Sequence, residues 1–573
     1  MGTEGRVGPL RAAGDSNPRM LTLFVLLALS RSSFGAIFDG LDLILPSAGL
    51  DLILPSAEAA EDDELAQAEE GEETRILLYV DPTDERQHIL PSLERRGIEC
   101  RMLHSAAAAA KILELDPSAA ERVRPNIAPA AGMELAWVEE DLPDDVEIVG
   151  VLCGSDGGLA DAERLQHALV PRRSNGINAA RRDKYQMVEA MRAAGLASQQ
   201  QATTKDWAET KAFIATQQLP VVLKPRRGQA SVLVGLAWSE AEAKRMDAVL
   251  RGSTVSIEQP SIGDARPNVV VQQHVGGEEW VVDTVSADGV HKALALWRYD
   301  KGAANGAPFV YFSDELRPMA GAKERALVSY AFAALDALGW RWGPCHMEVK
   351  WHVEASVPPG RRRLGGDELE GARLDADSAS GTKPPRGGGG GGGGGAASAQ
   401  GCDGAVASTC VTSGGGAAQE CDGDAEGGTP VLIEVNAGRW NGVDFQEMVS
   451  GSTGRDAYEA TLDAYLDARA WAAIPRVPPM SLRRHARLVK LVSSVSGTLR
   501  REPAEVHAKA LAAMPSLVRF EPTPDTVGAH VSLTVDLATC AGFAYLQHER
   551  EDVIAADYKA LRELQPRLFD VTR

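Results

Sequence analysis

The run RILLYVDP (Arg75 to Pro82) is continuously apolar until a proline breaks it, and a helical stretch follows that ends at Gly97. A second apolar run, VEIVGVLCGSDGG (Val146 to Gly158), enters a glycine-rich turn. Short apolar runs alternating with helices predict a small parallel α/β domain over 74–174. From Asn175 the pattern changes to one helix, two pairs of strands and further helices, which places a second, two-lobed α+β domain over 175–473. The proline-rich break IPRVPPM (Ile474 to Met480) precedes short strands, turns and a closing helix, so 480–573 reads as a small α+β tail domain.

Two segments fall outside this scheme. Between the strand-like runs CHMEVKW and VLIEVNA lies a stretch rich in Gly, Ser and Asp, 353–430, which predicts a disordered insertion in a hairpin loop. Growing a loop from about five to about eighty residues is about four doublings, or roughly 2.4 kcal/mol, which a hairpin can absorb. Residues 1–73 read as a leader and an acidic linker: Gly40 to Ala48 repeats as Gly49 to Ala57, and an acidic tract runs from Glu58 to Glu73. Arg6, Arg11 and Arg19 precede the apolar run Met20 to Leu29, the outline of a secretory signal and too short for a membrane-spanning helix. A cytoplasmic chain with a mispredicted leader and a chain sent to a plastid or secretory route both stay open, and no later segment reads as membrane-spanning.

Composition narrows the chemistry. The chain has 573 residues, 44% of them hydrophobic, and a formal charge of −21, which argues against a binder of nucleic-acid backbones. Its seven cysteines form no CxxC pair, so neither a disulfide framework nor a zinc site is indicated. Small-molecule substrates fit better.

The chemistry-bearing residues lie on the predicted hairpin. Strict alternation puts Leu432, Glu434 and Asn436 on one face of VLIEVNA, and Val431, Ile433 and Val435 on the other. Glu434 and Asn436 are then spaced by ~6.6 Å, suited to a hard cation. In CHMEVKW, His346, Glu348 and Lys350 share a face, so Glu348 joins the pair if the strands meet. For either strand alone, a solvated edge face is the commoner reading. PVVLKPRRGQASVLVG carries Lys224 at a strand end before a loop of small residues, where a lysine can meet phosphate oxygens. VVVQQHVGGEEWVVDTVSADG reads as an ordinary hairpin around Gly276 and Gly277. Trp238, Trp280 and Trp340 read as core or domain-contact aromatics, His346 as a packed or supporting residue, and Glu278 as solvated.

In this order, from about Ile76 to Asp467, these segments resemble the ATP-grasp superfamily, in particular its carboxylate–amine ligases such as D-alanyl-D-alanine and L-amino-acid ligases. The resemblance implies that Lys184, in RRDKYQMVEAMRAAGL, and Lys224 contact ATP phosphates, and that Ser231 lies in the loop covering them. It implies Gln272 and Val275 at the adenine, Glu279 at the ribose hydroxyls and Lys301 as another phosphate-binding lysine. Glu348, Glu434 and Asn436 match ligands of Mg²⁺ (or Mn²⁺). Three departures stand: Leu233 replaces a small residue, Gln272 replaces a glutamate, and Arg439, matched to a γ-phosphate or substrate contact, lies one residue further from Asn436 than usual. The implied activity is ATP-dependent activation of a carboxylate as an acyl phosphate, then attack by an amine. An ATP-grasp kinase or carboxylase-type activity, and a non-catalytic nucleotide binder, remain alternatives. Which acid and amine, and the oligomeric state, are not legible.

Overall fold

The computed structural model describes residues 74–115, 146–228, 233–252, 269–353 and 427–572. All belong to one compact unit; the second unit, Glu354–Asp424, falls outside the described residues, as do the leader and acidic linker. The first strands, β1 (Thr74–Val80), β2 (Glu99–Leu103) and β3 (Val146–Cys153), form a three-stranded parallel sheet in the order β2-β1-β3. The run in β1 is apolar throughout because both faces are covered: Leu77 and Tyr79 enter one apolar cluster, and Ile76, Leu78 and Val80 enter another. Helix α1 (Arg86–Arg95) ends before Gly97, whose φ of +64° suits a residue without a Cβ.

Helix α2 (Lys184–Ala193) begins cleanly because the Asp183 side chain accepts from the backbone amides of Tyr185 and Gln186. Next comes a four-stranded sheet, order β4-β7-β5-β6, built from β4 (Gln201–Thr204), β5 (Val221–Pro225), β6 (Gly235–Ala237) and β7 (Val269–Gln273). Val221, Leu223, Val269 and Val271 pack beneath it, which turns Val222, Lys224 and Gln272 to the opposite face.

β7 and β8 (Glu278–Ala287) do not form the expected hairpin. β7 pairs with β4 and β5, whereas β8 belongs to the eight-stranded sheet, so residues 274–277 carry the chain from one sheet to the other. Gly277 makes the crossing possible, since its φ is +104° and a Cβ there would lie 2.0 Å from the Trp351 carbonyl oxygen. The large sheet joins β8 to β9 (Val290–Ala304), β10 (Ala307–Leu316), β11 (Gly343–His352), β12 (Thr429–Ala437), β13 (His485–Lys490), β15 (Leu517–Pro522) and β17 (Gly542–His548), while β14 (Gly497–Leu499) and β16 (His530–Val531) lie in a separate small sheet. The order of the large sheet is β12-β11-β8-β9-β10-β13-β17-β15, antiparallel throughout. β11 and β12 do pair across the insertion, from Cys345 opposite Ala437 to His352 opposite Thr429. The tail has an apolar cluster of its own around Leu491, Leu546 and Leu561, yet β13, β15 and β17 continue the main sheet.

Three aromatic expectations separate. Trp280 and Trp340 are buried in the core of the large sheet, while Trp238 is 64% exposed and is not a core aromatic. Glu278 is partly solvated and pairs with Lys323 at 2.8 Å.

Candidate active site

Cross-strand register assembles the site. Residues directly opposite each other in adjacent strands point to the same face, so each register line is a row of neighbouring side chains. One row runs Asn436, His346, Asp283 across β12, β11 and β8. The next begins Glu434, Glu348, and a third runs Lys350, Glu279, Tyr299, Asp314 and Leu488 across β11, β8, β9, β10 and β13. Above this face stand Lys224 and Gln272 of the small sheet, and together they enclose a cavity of about 550 Å³.

Strict alternation fails at one point on β12. Between Glu434 and Leu432 the register shifts, leaving Ile433 as the extra residue of a bulge. Leu432 therefore joins Val435 and Ala437 in the core, and Ile433, not Leu432, stands beside Glu434 and Asn436 on the cavity wall.

Lys184, Lys224, Gln272, Val275, Glu279, Lys301, Glu348, Glu434, Asn436 and Arg439 all line this cavity. Ser231 lies outside the described residues. Leu233, just beyond it, has a φ of +60°, a left-handed conformation that a glycine would adopt more readily. Gln272 donates its amide nitrogen to Gln201 Oε1 at 2.7 Å.

The charges are paired in a definite pattern. Lys184 donates to the Gly228 carbonyl at 2.6 Å and also to the Glu434 carboxylate. Lys301 pairs with Glu279, stands 3.9 Å from Glu348, and lies over the rings of Tyr299 and Tyr311 at 4.5 and 3.8 Å. Lys350 reaches Glu279 at 3.7 Å. Burial pushes the Glu279 carboxyl up, but Lys301 and Lys350 outweigh burial and hold it below its ordinary value. Glu348 goes the other way: burial, then the neighbouring Glu279 and Glu434 carboxylates, raise it against the pull of Lys301. Burial lowers the Lys224 ammonium to about 8, with the Lys184 cation adding to the effect.

The donor set suits a hard cation. Glu348 and Glu434 face each other in register, Asn436 follows on the same strand, and Glu348 lacks enough positive charge around it. Among the described residues no group of three or more His, Cys, Asp or Glu could hold a metal alone. Two carboxylates and one amide leave room for water and phosphate oxygens, the usual arrangement for Mg²⁺.

His346, read from the sequence as a packed or supporting residue, hydrogen-bonds through Nδ1 to the Asp283 carboxylate at 2.9 Å, which fixes its ring beside the two glutamates. Other supporting residues were not legible in the sequence. Arg439 pairs at 3.2 Å with Asp156, in the glycine-rich turn that follows β3, and Asp156 carries no distinguishing pattern there. Tyr299 and Tyr311 were not singled out in the sequence; the pairing of β9 with β10, which sets Tyr311 opposite Lys301, brings their rings to that lysine.

The architecture is the ATP-grasp fold, in agreement with the resemblance in the sequence. No family model matches the chain. Over 278 residues it is 27% identical to dapdiamide A synthase of Enterobacter agglomerans, a match covering 48% of this chain and 63% of that protein, less than two thirds of its length. An L-amino acid ligase from Bacillus licheniformis superposes with a TM-score of 0.55 and 16% identity, over 87% of this chain and 100% of the ligase. Carboxyaminoimidazole ribonucleotide synthase from Aspergillus clavatus, solved in complex with ATP, superposes with a TM-score of 0.50 at 11% identity, over 87% of this chain and 99% of that one. Among the described residues no helix is long and apolar enough to cross a membrane.

Proposed function

We propose that this protein is an ATP- and Mg²⁺-dependent ligase that activates a small carboxylic acid as an acyl phosphate and passes the acyl group to an amine. The observation that carries this reading is the meeting, in one cavity, of Lys184 and Lys224 with the oxygen ligands Glu348, Glu434 and Asn436. The amide synthase and the L-amino acid ligase similar to this chain support it.

In this reading the adenine lies against Val275, with the Gln272 carbonyl oxygen accepting from its amino group. Glu279, held ionised by Lys301 and Lys350, accepts from the ribose hydroxyls. Lys184, Lys224 and Lys301 stand where charge builds on the transferred phosphoryl group, and preorganised cations in a dry site are the main source of rate enhancement in such transfers. Glu348, Glu434 and Asn436 would hold Mg²⁺ or Mn²⁺, which supplies Lewis-acid neutralisation of the phosphate oxygens. A carboxylate oxygen of the acid attacks the γ-phosphorus and the bond to ADP breaks. The amine nitrogen then attacks the acyl carbon, inorganic phosphate leaves, and the amine proton is lost to solvent or base. Arg439, anchored by Asp156, holds the anionic oxygens of the acid or the transferred phosphoryl. Acid-dependent release of phosphate from ATP tests the proposal, and ATP binding with no stimulation by any acid would count against it.

A further inference from the structure

The cavity extends past the residues read as nucleotide contacts. From Lys350 on β11 to Leu488 on β13 the register row crosses four strand-to-strand steps, about 19 Å at ~4.8 Å each. Its far wall belongs to the tail. Lys490 and Phe543 lie directly opposite each other on β13 and β17, Leu488 shares their face, and all three line the cavity. Leu537 and Ala538 complete that wall from a loop pinned at both ends. Ser493 and Thr534 exchange backbone and hydroxyl hydrogen bonds at 2.9 and 3.0 Å, and Cys540 bonds to the Gly542 carbonyl.

The chemistry of this wall differs from that of the nucleotide end. Lys490 is 3% exposed, pairs with the fully buried Asp314, and stands 4.9 Å from the ring centre of Phe445. An ammonium has three donors and the Asp314 pairing uses one. Around the Lys490 ammonium, the wall formed by Leu488, Leu537, Ala538, Phe543 and Phe445 is hydrocarbon. A phosphorylated sugar or a dicarboxylate would leave most of its oxygens without donors, which is costly in a buried site.

We propose that the tail forms the subsite for the acid and selects one with an apolar carbon skeleton, Lys490 holding an anionic oxygen and Leu488, Leu537, Ala538, Phe543 and Phe445 taking the hydrocarbon. This rests on the ligase reading and adds the substrate class to it. Lys490 stands on β13, three strand-to-strand steps along the large sheet from Glu279 on β8, so its loss weakens acid binding without weakening nucleotide binding.

The test uses the full chain, with hydroxylamine as the amine and matched pairs of apolar and polar carboxylic acids of similar length, read as phosphate release. Wild-type protein favours the apolar member of each pair by about tenfold or more in kcat/KM, the range a hydrophobic pocket provides. Leu537→Asp lowers that ratio by about tenfold through KM, while the Kd of a non-hydrolysable ATP analogue, measured by calorimetry, stays within about twofold. Leu537→Ser, which removes hydrocarbon without adding charge, shifts the ratio in the same direction by less. Lys490→Met combined with Asp314→Asn, which leaves no unpaired buried charge, raises KM for every acid and leaves analogue binding unchanged. Acid-dependent release with no apolar preference, or with a ratio unmoved in both Leu537 variants, overturns this proposal and leaves the ligase reading standing. No acid-dependent release in the wild type removes both.

Discussion

Replacing Lys224 with Met should make the protein more stable and nearly inactive. The Lys224 side chain is buried on the cavity face of β5, and burial together with the Lys184 cation lowers its ammonium from 10.5 to about 8. A base whose folded value lies below its unfolded one is held charged at a cost. That cost is fully present below about pH 8 and disappears as pH rises from there toward 10.5. At ~1.4 kcal/mol per pH unit, it is on the order of 3 kcal/mol at pH 7. Methionine fills the same space without the charge, so Lys224→Met should raise the urea midpoint at pH 7, and the difference from wild type should shrink between about pH 8 and 10.5. Removing one preorganised donor from the phosphoryl-transfer site should meanwhile lower acid-dependent phosphate release by about a hundredfold or more. The two effects have opposite signs, which a merely structural lysine would not produce. A lower urea midpoint, or near-normal turnover in a folded variant, would refute the reasoning.

Two further substitutions test other parts of the site and its support. Glu434→Gln removes a charged oxygen ligand and the partner of Lys184, so the Mg²⁺ concentration giving half-maximal phosphate release should rise by about tenfold or more; an unchanged metal titration would place the metal elsewhere. Arg181→Met should destabilise the fold by about 3–5 kcal/mol in urea denaturation, because the buried guanidinium pairs with Glu163 and donates to the carbonyls of Asn175, Gly176, Leu338 and Gly339. A loss below about 1 kcal/mol would show that this network contributes little.

Much of the site was legible because it depends on period-two alternation and on local punctuation. CHMEVKW places His346, Glu348 and Lys350 together by strand geometry alone, and the structure keeps them on one cavity wall. VLIEVNA misleads at Leu432, because a bulge depends on how β12 meets β11 and leaves no mark in the sequence of either strand. The Gly276–Gly277 loop has the composition of a hairpin turn, but the sheet each flanking strand joins is decided by contacts with β4, β5, β9 and β11. Lys490 sits within an apolar run, RLVKLV, and looks like a strand residue turned to solvent; only the eight-strand order brings it to the cavity. What was missed is non-local: pairings between strands far apart in the sequence, from 50 positions for Val222 opposite Gln272 to 174 for Asp314 opposite Leu488.

The central claim is that the acid is activated as an acyl phosphate, and trapping tests it most directly. Hydroxylamine is small enough to reach an acyl group held in this cavity and converts it to a stable hydroxamate. Incubating the protein with ATP, Mg²⁺, hydroxylamine and pools of carboxylic acids should yield hydroxamate in amounts matching the phosphate released. The yield should depend on both ATP and acid, and fall with Lys224→Met. Acid-dependent ATP cleavage with no trappable acyl species, or a stable phosphorylated alcohol as the product, would contradict the account.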